Sequence, residues 1–268
     1  PFKDIIQSRQ MSASRPAPTT TVAPPVEYRD LNEAYIEMQR IATEYPQIAK
    51  FVDVTSRVNA PLTYEGRRLY ALKISDNANV EEDEPTTLLV ANHHAREIMT
   101  AEIAMEAARK LTGLYGTDAT VTNAVNTNEI WVAPIWNPDG YNYVFTTDNL
   151  WRKNRHVFKG KNRGIGVDQN RNYAQGWDTA CGGSSDPKSD NYKGPSAASE
   201  SETKALVSLS QAERFAKVID LHNFGGKVVH GYACLDYPFA TWMEQEATEV
   251  GQVVGYTTLK TVAEGMEP

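Results

Sequence analysis

Thr86-Thr87-Leu88-Leu89-Val90-Ala91-Asn92-His93-His94-Ala95-Arg96-Glu97 is an apolar, strand-like run that ends in two imidazoles and a carboxylate. Behind it, Ile98, Ala101, Ala104, Ala108 and Leu111 recur at helical spacing, which predicts a helix from Glu97 to about Leu114. A strand that delivers such side chains into the turn before a helix is where an α/β protein can hold a metal. His94 and Glu97 form His-x-x-Glu, and a spacing of three across that turn can aim both side chains at one point. Zinc accepts imidazole nitrogen and carboxylate oxygen, and a catalytic zinc keeps three protein ligands and one open position. A four-residue pattern is also common in solvated turns, so the third ligand must come from elsewhere.

Downstream, Ala216-Lys217-Val218-Ile219-Asp220-Leu221-His222 is a second strand-like run closed by a histidine. His222 alone reads equally well as a structural histidine; with His94 and Glu97 it completes a His₂Glu set. Around these two runs the pattern alternates. A helix over Leu31–Tyr45 follows Asp30 as N-cap, and strands are predicted at Lys50–Thr55 and Arg68–Ser75 about the turn Thr63–Arg67. Glu129–Trp136 reads as a strand ending in an Asn137-Pro138-Asp139-Gly140 turn. Residues 141–198 are polar with little periodicity. Ser199–Leu209 reads as a helix with Ser199 as cap and Glu202 completing a capping box. Phe215–His222 and Val228–Ala233 read as strands, and Phe239–Val254 as a helix. The expected fold is therefore α/β: a mixed, largely parallel β-sheet with helices on both faces. Ligands of such sheets bind at the carboxyl ends of the strands, where His94 and His222 would meet.

With 268 residues, 41% apolar and 23% charged, the chain can bury one large core. A net charge of -7 argues against a nucleic-acid partner. No apolar run approaches the roughly 18 residues of a membrane helix, so no membrane partner is expected. The two cysteines, Cys181 and Cys234, leave three options open: one disulfide, free thiols, or other partners. Residues 1–27, rich in Pro, Thr and Ala, read as a linker or propeptide remnant, and 28–268 as the main domain. A start at Pro1 suggests a piece of a longer precursor.

The chain resembles the zinc metallocarboxypeptidases of the carboxypeptidase A family, in particular the bacterial carboxypeptidase T-like branch. The resemblance rests on Tyr64-Glu65-Gly66-Arg67, Lys73-Ile74-Ser75-Asp76-Asn77, His93-His94-Ala95-Arg96-Glu97, Asn137-Pro138-Asp139-Gly140, Trp151-Arg152-Lys153-Asn154-Arg155, Gly166-Val167-Asp168-Gln169-Asn170-Arg171-Asn172, Cys181-Gly182-Gly183-Ser184-Ser185 and Tyr192-Lys193-Gly194-Pro195. It implies one Zn²⁺ per chain, bound by His94, Glu97 and His222, with His93 a bystander and Asp168 orienting His94. It implies that Arg152 stabilises the oxyanion, and that Asn170 and Arg171 grip the substrate's free α-carboxylate, with Arg96 and Asn223 assisting. The implied activity is release of the last amino acid from peptide and protein C-termini, by a secreted enzyme made as a zymogen with its own propeptide as a partner.

Two departures qualify this. Asn223-Phe224 stands where animal members carry Ser-Tyr. The family's general-base Glu lies on a late strand, and this sequence stops at Gly265-Met266-Glu267-Pro268 before it; Glu264 and Glu267 come too early. The late strands and helix would then be lacking, with a separate C-terminal fragment as a conceivable partner and a poorly stable isolated piece. The alternative is a zinc- and C-terminus-binding pseudoenzyme without turnover. A related amidohydrolase fits Asn170-Arg171 less well.

Overall fold

A computed structural model describes residues 27–159, 164–179, 181–231 and 239–260. The expected linker or propeptide remnant, apart from Glu27, lies outside the described residues, as do Cys234, Glu264 and Glu267.

Asp30 starts the first helix, α1 (Leu31–Glu44), by accepting from Glu33 N at 2.9 Å, while the Glu33 carboxylate accepts from Asp30 N at 2.9 Å. This reciprocal box satisfies amides that the first turn leaves unpaired. β1 (Ala49–Asp53) stops two residues short of the expected Thr55. Asp53 instead caps a one-turn helix, α2 (Val54–Arg57), accepting from Ser56 N at 3.0 Å. A short acidic side chain offers the backbone a local alternative to the ladder. β2 (Tyr70–Ile74), β3 (Thr86–Ala91) and α3 (Ile98–Gly113) follow as expected. Between α3 and β4 (Glu129–Ala133) lies α4 (Ala119–Asn126), started by the Asp118 carboxylate.

Two sequence expectations fail here. Asn137-Pro138-Asp139-Gly140 is the beginning of helix α5 (Pro138–Thr146), not a free turn: Asn137 Oδ1 caps Gly140 N at 3.0 Å, and Pro138 sits at a helix start that needs no amide donor. After β5 (Val157–Phe158) and β6 (Gly164–Ile165), helix α6 runs over Ser201–Glu213, with Glu200 at the cap position and no side-chain cap. The Ser199 hydroxyl donates to Glu200 and accepts from Asn172, so it is not available to the helix. β7 (Lys217–Leu221), β8 (Lys227–His230), α7 (Ala240–Val254) and β9 (Thr257–Lys260) complete the described chain.

The main sheet has the order β1-β2-β4-β3-β7. β1–β2 and β2–β4 are antiparallel, whereas β3 pairs in parallel with both β4 and β7, so the sheet is mixed. One face packs under α1, α3, α4 and α5, through Met38, Ile41, Ala104, Met105, Val125 and Tyr141. The other packs under α2 and α6, where Val54, Ala205 and Leu209 meet Leu88, Val90 and Trp131. Helices thus cover both faces, as expected. β8 and β9 form a separate parallel pair bridged by α7, as a crossover between parallel strands requires. Parallel pairing of β3 and β7, with Ala91 opposite Leu221, brings the residues that follow each strand out side by side.

Candidate metal centre

Asn92 ends β3 in the left-handed region (φ 59°), which asparagine tolerates better than most side chains. Its Nδ2 donates to the carbonyls of His94 (3.2 Å) and Ala95 (3.3 Å), and its own amide donates to Thr100 Oγ1 (3.2 Å). The chain therefore reverses within a tight, buried turn. Glu97 occupies the cap position of α3 without capping it, because its carboxylate points elsewhere.

That carboxylate receives both histidines. Glu97 Oε1 lies 2.9 Å from His94 Nδ1, Glu97 Oε2 lies 3.0 Å from His222 Nδ1, and the two Nδ1 atoms are 3.1 Å apart. Ligands about 2.0–2.1 Å from a tetrahedral zinc stand roughly 3.3 Å from one another, so these separations are a few tenths tighter than a zinc shell. The remote nitrogens are taken: Asp168 Oδ1 lies 3.2 Å from His94 Nε2, and Asp220 Oδ2 lies 2.9 Å from His222 Nε2. With each remote N–H donating to a carboxylate, both Nδ1 lone pairs and the Glu97 carboxylate converge, a set of acceptors that calls for a cation.

The electrostatics agree. Burial opposes ionisation of Glu97, yet the adjacent imidazoles of His222 and His94 hold its pKa down to about 2. Burial also disfavours the His222 cation, but Asp220 and Glu97 push its pKa up to about 10. A site that raises the proton affinity of an imidazole in this way is a site for positive charge.

Asp168 links this cluster to the arginines. Burial would raise its pKa, but the bond with His94 and the charges of Arg152 and Arg171 hold it well below the carboxylate range. Its Oδ2 accepts from Arg152 Nε (3.1 Å) and Nη2 (2.7 Å), and the third guanidinium nitrogen, Nη1, lies 3.3 Å from His94 Nδ1. Arg152 O in turn accepts from Ala95 N at 2.9 Å. Asp168 also caps the 3₁₀ turn Gln169–Arg171, accepting from Asn170 N at 3.0 Å. On that turn Arg171 spends Nη1 on Asn170 O (3.0 Å), while Nε is buried without a partner among the described residues. Burial lowers its pKa, against the opposing pull of Asp168. Gly183 (φ 91°) packs so close that a Cβ there would come within 3.0 Å of Arg171 Cγ.

Of the other expected site residues, Asn223 donates its amide to Glu97 Oε2 at 3.1 Å, and its Oδ1 is buried without a partner among the described residues. Phe224, after it, is 99% exposed. Arg96 stands apart: its guanidinium meets Leu150 O (3.2 Å) and Asp190 (3.3 Å), and none of its described bonds goes to the cluster. Asn137-Pro138-Asp139-Gly140 supports the site from behind. Asn137 Nδ2 donates to His93 O, and buried Asp139 accepts from Thr63 Oγ1, Glu65 N and Arg67 Nη1, each at 2.8 Å, which fastens the Thr63–Arg67 turn.

Sequence reasoning passed over Asp220 and treated His93 as a bystander. A signal was present: Asp220 is an acidic residue within an apolar strand, two positions before His222 and so on the same side of the strand.

The zinc carboxypeptidase family model matches residues 34–264. Carboxypeptidase A2 of Rattus norvegicus is 37% identical over 213 residues, covering 77% of this chain and 48% of that protein. Among solved structures, thrombin activatable fibrinolysis inhibitor superposes with a TM-score of 0.78 at 26% identity, covering 89% of this chain and 60% of that one. Carboxypeptidase A from Helicoverpa armigera gives 0.76 at 27% identity, covering 87% and 57%. The chain spans about half the length of the curated relatives it matches. A family model that runs from α1 past β9 and a relative 37% identical over 213 aligned residues leave one conclusion: this chain belongs to the zinc carboxypeptidase family.

Proposed function

We propose that the protein containing this chain is a zinc-dependent carboxypeptidase that hydrolyses the last peptide bond of peptides and proteins. The observation that carries this reading is the junction at Asp168. One carboxylate orients a candidate metal ligand, His94, and caps the turn that presents Arg171, whose buried Nε lacks a partner among the described residues. His94, Glu97 and His222 would hold the metal, which supplies Lewis acidity to the scissile carbonyl and an acidified water. Arg171, with Asn170, binds the substrate's α-carboxylate, because a guanidinium presents two parallel donors to it. Arg152, fixed by Asp168 through Nε and Nη2, turns Nη1 toward the candidate metal site, where it would meet the negative charge that develops on the carbonyl oxygen. Asn223 extends the substrate-binding surface next to Glu97, and Arg96 would assist only at the rim.

The disulfide at Cys181 supports a secreted protein, since disulfides persist in oxidising compartments. A propeptide and a C-terminal segment belong to the same reading as partners within the whole protein. A second reading, binding without turnover, draws on one observation. Glu97, Asp168 and Asp220 are all engaged by imidazole or guanidinium, so none of them is free to act as general base.

The test uses the full-length protein loaded with zinc, with paired peptides that end in a free carboxylate or an amide. Turnover of the free-acid peptide alone, with kcat/KM lowered about 10–150-fold in Arg171→Met, is expected from losing a charge-assisted bond. Equal hydrolysis of the amide would sink the carboxypeptidase reading. Zinc and peptide binding without hydrolysis would establish the second.

A further inference from the structure

Each candidate imidazole ligand has a carboxylate on its remote nitrogen, and each carboxylate has its other oxygen held by a second residue. For His94 the chain is Asp168 and then Arg152. For His222 it is Asp220 and then His93: Asp220 Oδ1 lies 3.1 Å from His93 Nδ1, and His93 Nε2 lies 2.7 Å from Tyr173 Oη. His93 is buried, and its ring lies nearly parallel to that of His222 with centroids 6.1 Å apart.

The donors in this relay run one way. The Tyr173 hydroxyl donates to His93 Nε2, which leaves the His93 proton on Nδ1 to donate to Asp220. The other Asp220 oxygen accepts from His222 Nε2, which leaves the His222 Nδ1 lone pair facing Glu97 and His94 Nδ1. With a cation between His222 Nδ1, His94 Nδ1 and Glu97, this arrangement leaves every contact of the relay pairing a donor with an acceptor. His93, Asp220 and His222 also bring three donor atoms close enough to hold an ion of their own. The order of N–H groups argues against that, because both nitrogens that face Asp220 carry protons rather than lone pairs.

β7 gives the relay a task. Among the described residues His222 is a third exposed at its side chain and follows a strand paired on one side only, whereas His94 is 5% exposed. Among the described residues packing covers His94 more fully than His222, so the orientation of His222 leans on what holds Nε2.

We propose that Asp220 and His93 are positioning residues for the metal centre: Asp220 sets the tautomer and ring orientation of His222, and His93, anchored by Tyr173, keeps Asp220 in place. This rests on the reading that His94, Glu97 and His222 bind zinc. Hydrogen-bond partners of a ligating histidine raise metal affinity about 10–100-fold.

The experiment measures zinc affinity of the full-length protein by chelator competition, together with the visible absorption of the cobalt-substituted form. Wild type is compared with Asp220→Ala, Asp220→Asn, His93→Phe, the Asp220→Ala/His93→Phe double variant and Glu97→Gln. Expected is a 10–100-fold loss in Asp220→Ala with an altered cobalt spectrum, and partial recovery in Asp220→Asn, whose carbonyl still accepts from His222. His93→Phe should lose several-fold, and the double variant should be no worse than Asp220→Ala, because both residues act through His222. If Asp220→Ala fails to fold, Asp220→Asn and His93→Phe carry the same comparison. Wild-type affinity and spectrum in Asp220→Ala, alongside loss of zinc in Glu97→Gln, would overturn the relay alone. Two zinc ions per chain, the second lost in His93→Phe, would also overturn it. A wild-type protein that binds no zinc would instead bring down the metal reading beneath it.

Discussion

β3 and β7 are neighbours in one sheet, run parallel, and lead into the histidines of the candidate centre, yet they live in different environments. Leu88 on β3 is 0% exposed, and Val218, its partner on β7, is 52% exposed; Ile219, opposite Leu89, is 41% exposed. β3 has a strand on each side and helices above and below. β7 has β3 on one side and, among the described residues, no strand on the other. Both read in the sequence as apolar runs closed by a histidine. The difference teaches that such a run specifies a strand and its two faces, while burial depends on what other segments bring to each face. It also separates two ways of fixing a metal ligand, by packing at His94 and by a chain of side-chain hydrogen bonds at His222.

The largest test of the buried half is Lys73, whose Nζ lies 2.6 Å from Glu129 with both side chains 2% exposed. Lys73→Met strands a buried carboxylate and should lower unfolding free energy by roughly 3–5 kcal/mol, read from the urea midpoint. A loss below about 1 kcal/mol would mean that water reaches this part of the sheet. Next comes the in-register pair itself. Leu88→Ala should cost about 2–5 kcal/mol and Val218→Ala within about 0.5 kcal/mol. Equal losses would show that Val218 is covered in solution and would erase the contrast.

Asp168→Asn should lower zinc affinity about 10–100-fold. Because His94 is also held by packing, its cobalt spectrum should shift less than that of the Asp220 variants; the reverse order would invert the comparison. The last test concerns Glu202 on α6, over the β3 face. Burial, reinforced by the charges of Glu200 and Asp139, pushes its pKa up to about 8. The folded protein therefore keeps a proton that the unfolded chain loses near the ordinary glutamate value of 4.5. Stability is full below that value and falls as pH rises from there to about 8. Glu202→Gln should flatten that slope in thermal melts across the window; an unchanged slope would show that Glu202 is solvated.

What was legible in the sequence was what depends on near neighbours. The Asp30–Glu33 capping box could be read because both partners sit within one turn, and the strand-to-helix turn at Asn92–Glu97 because its bonds close within eight residues. Ser199 failed as a cap because its hydroxyl is claimed by Asn172, 27 residues away. Asn137–Gly140 reads as a turn although its cap is local, and the tie from Asp139 to Thr63, 76 residues earlier, leaves no mark in the local pattern. Residue chemistry and spacing were enough to nominate His94, Glu97 and His222, because metal binding restricts which side chains serve, whereas Asp168 and Arg171 came only from the family resemblance.

The meeting of those residues was decided elsewhere. Parallel pairing of β3 with β7 sets His222 Nδ1 3.1 Å from His94 Nδ1 across 128 positions, and brings Asp220 onto His93 across 127. Local spacing carries no record of such contacts, since they exist only after the sheet has chosen which strand lies beside which.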